Sequence, residues 1–158
     1  MKLPQAHVEA ARRAIASTFH LALLHEWRLR RMVVIIKDLA VALSGLIGLG
    51  IIAIGVRFLL APPTAAAGYG VAITEEIGEA GAYPSAKGVR DIVSGLVVFL
   101  LIAIAGHRVL GWWMLVMTLI PIGDAVVVLR SGGSKATAYG VHVATAVVMA
   151  VIGILLLV

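Results

Sequence analysis

The chain has 158 residues, of which 61% are hydrophobic and only 13% are charged. Long apolar runs separated by short polar breaks are typical of a polytopic α-helical membrane protein, and the two-residue alternation of a membrane β-barrel is missing. The formal net charge is +5, but the basic residues cluster beside the apolar runs, so membrane topology explains them better than nucleic acid does. The chain has no cysteine, which excludes thiolate nucleophiles and Cys-ligated metals.

Residues 1–31 are predicted to form a separate, basic amphipathic helix. Apolar residues recur there at three- and four-residue steps, at Val8, Ala11, Ile15, Phe19 and Leu23. Such a helix suits the surface of an anionic membrane. Two alternatives stay open: a contact in an oligomer, or an extension before a natural start at Met32. No cleaved secretory signal is predicted, because the segment lacks a compact apolar core.

Residues 32–158 are predicted to form a four-helix transmembrane domain. The spans lie at about residues 33–61, 87–106, 109–130 and 139–158, and each is near the ~20 residues that cross a hydrocarbon core of ~30 Å. The first span ends at Pro62 and Pro63, since a helix does not continue through this pair. The later connections are short and favour antiparallel neighbours, so the fold class is an all-α, up-down-up-down bundle.

The loop at residues 62–86 is rich in Gly and Ala and carries Glu75, Glu76 and Glu79. It is expected to cover one mouth of the bundle as a loop or a short interfacial helix. Basic residues are more numerous on the side of the membrane that holds the chain termini. The positive-inside rule therefore predicts cytoplasmic termini, in a bacterial inner membrane.

Each span brings an ionisable residue to one layer near the non-cytoplasmic surface. These residues are Arg57, Lys87, Arg90, Asp91, Asp124 and His142. Asp124 is the deepest carboxylate, about 9 Å before Arg130 along the helix. An Asp in a span costs roughly 2.5–3.5 kcal/mol and indicates a functional site by default.

Simpler explanations of the same residues compete with a functional one. Lys87 and Arg130 are interpreted as anchors that extend to water at the helix ends. Ion pairs such as Arg90–Asp124 or Arg57–Asp91 would only hold helices together.

The layer as a whole is predicted to be a pocket for acid–base chemistry on a small lipophilic or anionic molecule. The candidate catalytic residues are Asp124, Asp91 and His142, and the candidate substrate-binding residues are Arg57, Arg90 and Ser94. Two carboxylates in different environments can divide acid and base roles, and histidine can relay a proton. Arginine is a permanent cation that holds a carboxylate, enolate or phosphate. The set suits isomerisation, cyclisation or elimination.

No metal, cofactor or nucleic-acid partner is predicted, because the chain has neither a metal-ligand motif such as HExxH nor a nucleotide-binding glycine motif. The expected partners are the lipid bilayer, the small molecule and a second copy of the chain. Two other functions stay open. One is a proton-coupled transporter or export subunit, which would need a homodimer. The other is an accessory subunit in which the charges only lock helices.

Three stretches, GVRFLLAP, KGVRDIVSG and PIGD, resemble small four-helix bacterial membrane proteins of the broad DoxX-like type. The likeness covers about residues 36–158 and is greatest to a family within that group known only as a domain of unknown function. The resemblance implies a four-helix bundle but no activity. It points to Arg57, Gly88, Arg90, Asp91, Gly123 and Asp124.

Overall fold

The computed structural model describes residues 5–71 and 82–158, and all regular secondary structure within them is helical. The first three helices are α1 (Gln5–Leu60), α2 (Pro62–Tyr69) and α3 (Ala82–Ile104). Next come α4 (His107–Met117) and α5 (Leu119–Arg130). The last helical run consists of α6 (Lys135–Thr137), a π-helical segment (Ala138–Val143) and α7 (Ala144–Leu157). The predicted all-α class is confirmed for these residues; Glu75, Glu76 and Glu79 lie outside them.

Three helical runs are long and apolar enough to cross a membrane: Thr18–Leu60, His107–Arg130 and Lys135–Leu157. They correspond to three of the four predicted spans. The fourth, in α3, has 23 residues but carries Lys87, Arg90 and Asp91 in its first half. It begins at Ala82, ahead of the predicted start, because a proline such as Pro84 is tolerated in the first helical turn.

The chain divides into two compact units, Met1–Asp38 and Leu39–Val158. In the first unit, ion pairs one turn apart stabilise α1, such as Arg30–Glu26 at 2.7 Å. No helix end marks the predicted boundary at residue 31, since neither Gly nor Pro occurs between residues 5 and 44 to interrupt α1. The location of this segment at a membrane surface stays a prediction.

Within the second unit, glycines let α1 and α3 pack at very close range. A Cβ atom on Gly55 would lie 2.6 Å from the carbonyl oxygen of Gly88, and one on Gly95 would lie 2.5 Å from that of Gly48. Small residues of this kind allow helix backbones to approach each other in membranes. Because residue numbers rise along α1 as they fall along the facing side of α3, the two helices are antiparallel.

The apolar core occupies one end of the second unit. It contains Val98, Leu110, Met114 and Met149, each almost completely buried, and α4 packs there on α7 with Gly111 against Gly153. The ionisable residues of the predicted layer lie toward the other end of the same helices. The core therefore forms an apolar floor beneath them.

Candidate functional site

A break between α4 and α5 positions the carboxylate of Asp124. Pro121 lies in the first turn of α5 and has no N–H to donate to the carbonyl of Met117, so the helix is interrupted at Thr118. The hydroxyl of Thr118 donates instead to the carbonyl of Met114 at 3.0 Å. Asp124 follows less than one turn after Pro121, and both line the same cavity.

His142 lies in the π-helical segment, a kind of helix irregularity that is frequent at functional sites. Its side chain is buried, with the Nε2 atom 3.1 Å from the backbone carbonyl oxygen of Tyr69. The His142 and Tyr69 rings also meet edge to face, with centroids 4.8 Å apart. The last helical run is thus joined to α2.

Tyr69 is a site residue that sequence reasoning missed. It ends α2, where Gly70 adopts φ 101° and its N–H bonds back to Ala66 and Ala67, as glycine at a helix end commonly does. Burial raises the pKa of the Tyr69 phenol far above its ordinary range, and the neighbouring Asp124 carboxylate adds to the shift. Tyr69 therefore stays neutral. No local signal marks it, since it is one aromatic residue in a Gly- and Ala-rich stretch.

Lys87 is the centre of the charged cluster. Its Nζ atom donates a 2.7 Å hydrogen bond to Oδ2 of Asp91 and lies 3.7 Å from Oδ2 of Asp124. The same ammonium lies 5.2 Å from the ring centroids of both Phe58 and Tyr69. Only 18% of the Lys87 side chain is exposed. The interpretation of Lys87 as a water-reaching anchor is therefore wrong, because two carboxylates and two aromatic rings hold the ammonium inward.

A cavity of about 300 Å³ lies at this cluster. Five of the six residues assigned from sequence line it: Arg57, Asp91, Ser94, Asp124 and His142. Apolar side chains such as Ile51, Ile54, Met117 and Met149 make up much of the remaining wall. The cavity thus combines a charged wall with an apolar floor, and the chemical roles of its residues stay predictions.

Arg90 does not line this inner cavity but a neighbouring outer cavity of about 840 Å³. Arg57 and Arg90 are both exposed and make no ion pair within residues 5–71 and 82–158. The pairs Arg57–Asp91 and Arg90–Asp124, considered above as an alternative explanation, do not form; both carboxylates have Lys87 as their partner. The two guanidinium groups keep their donors for a ligand or water.

Several side chains that line the inner cavity carry groups that can accept or donate a proton. Across the described part of the chain, no group of three or more His, Asp or Glu side chains is arranged as a metal site. The cavity instead offers two carboxylates, an ammonium, a neutral phenol and an imidazole around one space. These are the groups of general acid–base chemistry.

Three helical runs of this length and apolarity are typical of a helical membrane protein. Residues 48–156 match the family model described as Domain of unknown function (DUF4267), and the chain belongs to this family. The matched range includes all six candidate site residues predicted from the sequence, together with Lys87 and Tyr69. No curated protein and no solved structure matches the chain.

Proposed function

We propose that this protein is a cofactor-free acid–base enzyme of the isomerase, cyclase or lyase type that acts on a small lipophilic molecule. One observation carries the proposal: the Lys87 ammonium holds the carboxylates of Asp91 and Asp124 at the wall of an otherwise largely apolar cavity. Two carboxylates in different environments can divide acid and base work. An apolar cavity with a few convergent polar groups is also the usual form of a small-molecule site.

Asp124 is the better candidate for the general base. Its carboxylate lies 3.7 Å from the Lys87 ammonium, whereas Asp91 accepts a 2.7 Å hydrogen bond from it. The Asp124 side chain is also the more exposed of the two, at 23% against 12%. Asp124 also has a hydrogen bond with the Tyr69 phenol, but its looser ion pair with Lys87 and its greater exposure leave it freer than Asp91 to accept a proton from a substrate. Asp91 then serves to hold Lys87 in place.

The simplest reaction for this set is the isomerisation of a β,γ-unsaturated carbonyl compound. Asp124 removes a proton from the carbon between the carbonyl group and the C=C bond. The electron pair of that C–H bond forms a new C=C bond while the carbonyl π pair moves to the oxygen, which gives a dienolate. Arg57 or Lys87 stabilises the enolate oxygen. Asp124 then returns the proton to a different carbon, so the product is an isomer and no co-reactant is consumed. Ser94 hydrogen-bonds the substrate, and His142 relays protons to and from the cavity.

We further infer that α3 is a fourth span, which would complete a DoxX-like, up-down-up-down bundle with cytoplasmic termini in a bacterial inner membrane. Its 23 residues would rise about 34 Å, enough for a hydrocarbon core of ~30 Å. The antiparallel packing of α1 on α3 supports this topology.

The apolar floor of the cavity favours an enzyme over a transporter. A transporter needs a polar route through the other half of the membrane, where Val98, Met114 and Met149 are packed and buried. A dead-end cavity suits a substrate that enters and leaves on the same side. The remaining alternative, an accessory subunit whose charges only lock helices, is decided by experiment.

The decisive experiment measures proton exchange in D₂O. The protein in lipid nanodiscs is incubated with a panel of β,γ-unsaturated ketones, and mass spectrometry follows deuterium uptake while absorbance follows the conjugated product. We expect Asp124→Asn to lower the rate by about 10²-fold or more, the usual contribution of a general base. The control Asp38→Asn alters an exposed carboxylate that does not line the cavity and should keep the rate.

The proposal fails if the wild-type protein exchanges no deuterium into any ketone of the panel, or if Asp124→Asn keeps the wild-type rate. A lower melting temperature of Asp124→Asn, without any measurable wild-type exchange, would support the accessory role instead.

A further inference from the structure

The outer cavity is lined by α2, α3 and α5, with Phe58 of α1, and several of its lining side chains are apolar and exposed. Its rim includes Val93 on α3 and Leu119 and Val127 on α5, whose side chains are all about half exposed or more. Exposed apolar rims of this kind are unfavourable in water but suit contact with lipid. The opening therefore faces the hydrocarbon region if α3 and α5 cross the membrane.

The two cavities share one wall. Lys87, Asp91 and Asp124, the complete charged cluster, line both of them, together with Ser94, Tyr69 and Phe58. A molecule in the outer cavity can therefore touch the cluster without first passing through the inner one. The shared wall makes the outer cavity an approach to the same chemistry.

Arg90 gives the outer cavity a polar group of its own. Among the described residues that line the outer cavity alone, it is the one charged side chain. A guanidinium group has only donors and binds carbonyl, carboxylate or phosphate oxygens. The outer cavity thus presents a cation beside a wall of aliphatic side chains, which is complementary to an amphiphile.

We infer that the cleft between α3 and α5 is a lateral portal and binding site for an amphiphile dissolved in the bilayer. Arg90 binds an oxygen at the polar end of this molecule and directs that end to the Lys87 cluster, while the apolar body lies against Val93, Leu119 and Val127. A volume of about 840 Å³ is within the ~300–1,000 Å³ typical of ligand sites. The inference rests on the proposed function for the reaction and adds the class and route of the substrate.

The natural chain has no cysteine, so the route can be tested by labelling without knowing the substrate. A single cysteine at Ser94→Cys lies in the shared wall of the two cavities. In proteoliposomes it is treated with a long-chain alkyl maleimide, which partitions into the bilayer, or with a sulfonated maleimide, which stays in water. Each labelling rate of Ser94→Cys is divided by the rate of a separate single-cysteine variant whose thiol is exposed. The reference variant is Val148→Cys on α7 for the alkyl reagent and Ser131→Cys for the sulfonated reagent.

A second substitution blocks the proposed portal. Gly123 lines only the outer cavity, and a Cβ atom there would meet nothing within 4 Å, so Gly123→Trp fills the cavity without an initial clash. Gly50→Trp is the matched control, since Gly50 is also helical with nothing within 4 Å but lines neither cavity. If Gly123→Trp does not fold, Val93→Trp on the same rim replaces it.

We expect the normalised rate at Ser94→Cys to be at least tenfold higher with the alkyl reagent, to fall at least tenfold with Gly123→Trp, and to be unchanged with Gly50→Trp. Faster normalised labelling by the sulfonated reagent would overturn the portal, as would labelling by neither reagent or no effect of Gly123→Trp. Deuterium exchange by the wild-type protein is measured separately. If the labelling results contradict the portal but the wild-type protein exchanges deuterium, the proposed function stands. If the labelling results support the portal but no deuterium is exchanged, only the binding site is supported.

Discussion

The Nζ atom of Lys87 on α3 lies 3.7 Å from Oδ2 of Asp124 on α5, and within the described residues this is the one ion pair that joins two helices. Lys87 also bonds Asp91 one turn further along α3. One ammonium therefore compensates two carboxylates in a place where little water reaches them. Both the stability and the reactivity of the cavity depend on this lysine.

Replacing Lys87 by methionine should destabilise the protein by about 3 kcal/mol, because it leaves two partly buried carboxylates without a cation. The double variant Lys87→Met/Asp91→Asn should recover part of that loss, since it removes one of the uncompensated charges. Unfolding in detergent by a chemical denaturant measures both effects. Lys135→Met alters an exposed lysine and should change little. If the stability loss of the double variant equals the sum of the losses of the two single variants, Lys87 and Asp91 are not paired.

Replacing Gly55 by alanine should destabilise the protein by about 1–3 kcal/mol through overpacking. The new Cβ atom would lie 2.6 Å from the backbone oxygen of Gly88, and backbone cannot move aside as a flexible side chain can. Gly50→Ala on the same helix meets nothing within 4 Å and should be neutral, or stabilising by up to about 1 kcal/mol. Melting temperatures of the two variants provide the comparison, and equal shifts would argue against close packing of α1 on α3.

His142→Phe should cost about 1–3 kcal/mol, because it removes the hydrogen bond between Nε2 and the Tyr69 carbonyl while keeping an aromatic ring of similar size. The loss should also loosen α2, which limited proteolysis near Tyr69 would detect as faster cleavage. His107→Phe changes an exposed histidine at the start of α4 and should leave both measurements unchanged. Equal rates of proteolytic cleavage in His142→Phe and His107→Phe would contradict this role of His142.

Tyr69 should make the protein less stable at high pH. Its pKa is raised in the folded protein above the value of about 10 in the unfolded chain, so the folded state holds the phenol proton more tightly. The free energy of unfolding therefore falls as pH rises above about 10, and below that pH the contribution of Tyr69 to stability does not change with pH.

The measurement compares melting temperatures at pH 8 and pH 11. Tyr69→Phe should lose less stability between these values than the wild type, while other groups that titrate there cancel in the comparison. The phenolate absorbance of Tyr69 is obtained as the difference between the wild type and Tyr69→Phe as pH rises. A midpoint near the ordinary tyrosine pKa of about 10 in the folded protein would contradict the prediction.

Much of the fold follows from local sequence. Pro62 and Pro63 end α1 at Leu60 because proline cannot continue the hydrogen-bond ladder, and apolar runs of about 20 residues set three membrane-length segments. The position of each ionisable residue along its helix also follows, since an α-helix rises 1.5 Å per residue. These positions predicted that Arg57, Asp91, Asp124 and His142 lie together, and all four line one cavity.

The directions of the side chains about the helix axes were decided by tertiary structure. Lys87 and Arg90 are three residues apart on α3, yet Lys87 turns inward to two carboxylates and Arg90 lines only the outer cavity. Sequence position cannot distinguish them, because the rotation of α3 depends on how Gly88 and Gly95 seat it against α1. Tyr69 enters the site through the path of α2 over the helices, which is set by long-range packing against Phe58 and His142. The sequence by itself determined the helical class, the end of α1 at the proline pair and the position of each charge along its helix, since these are local properties of the chain. Which charges meet was decided by packing between residues far apart in it.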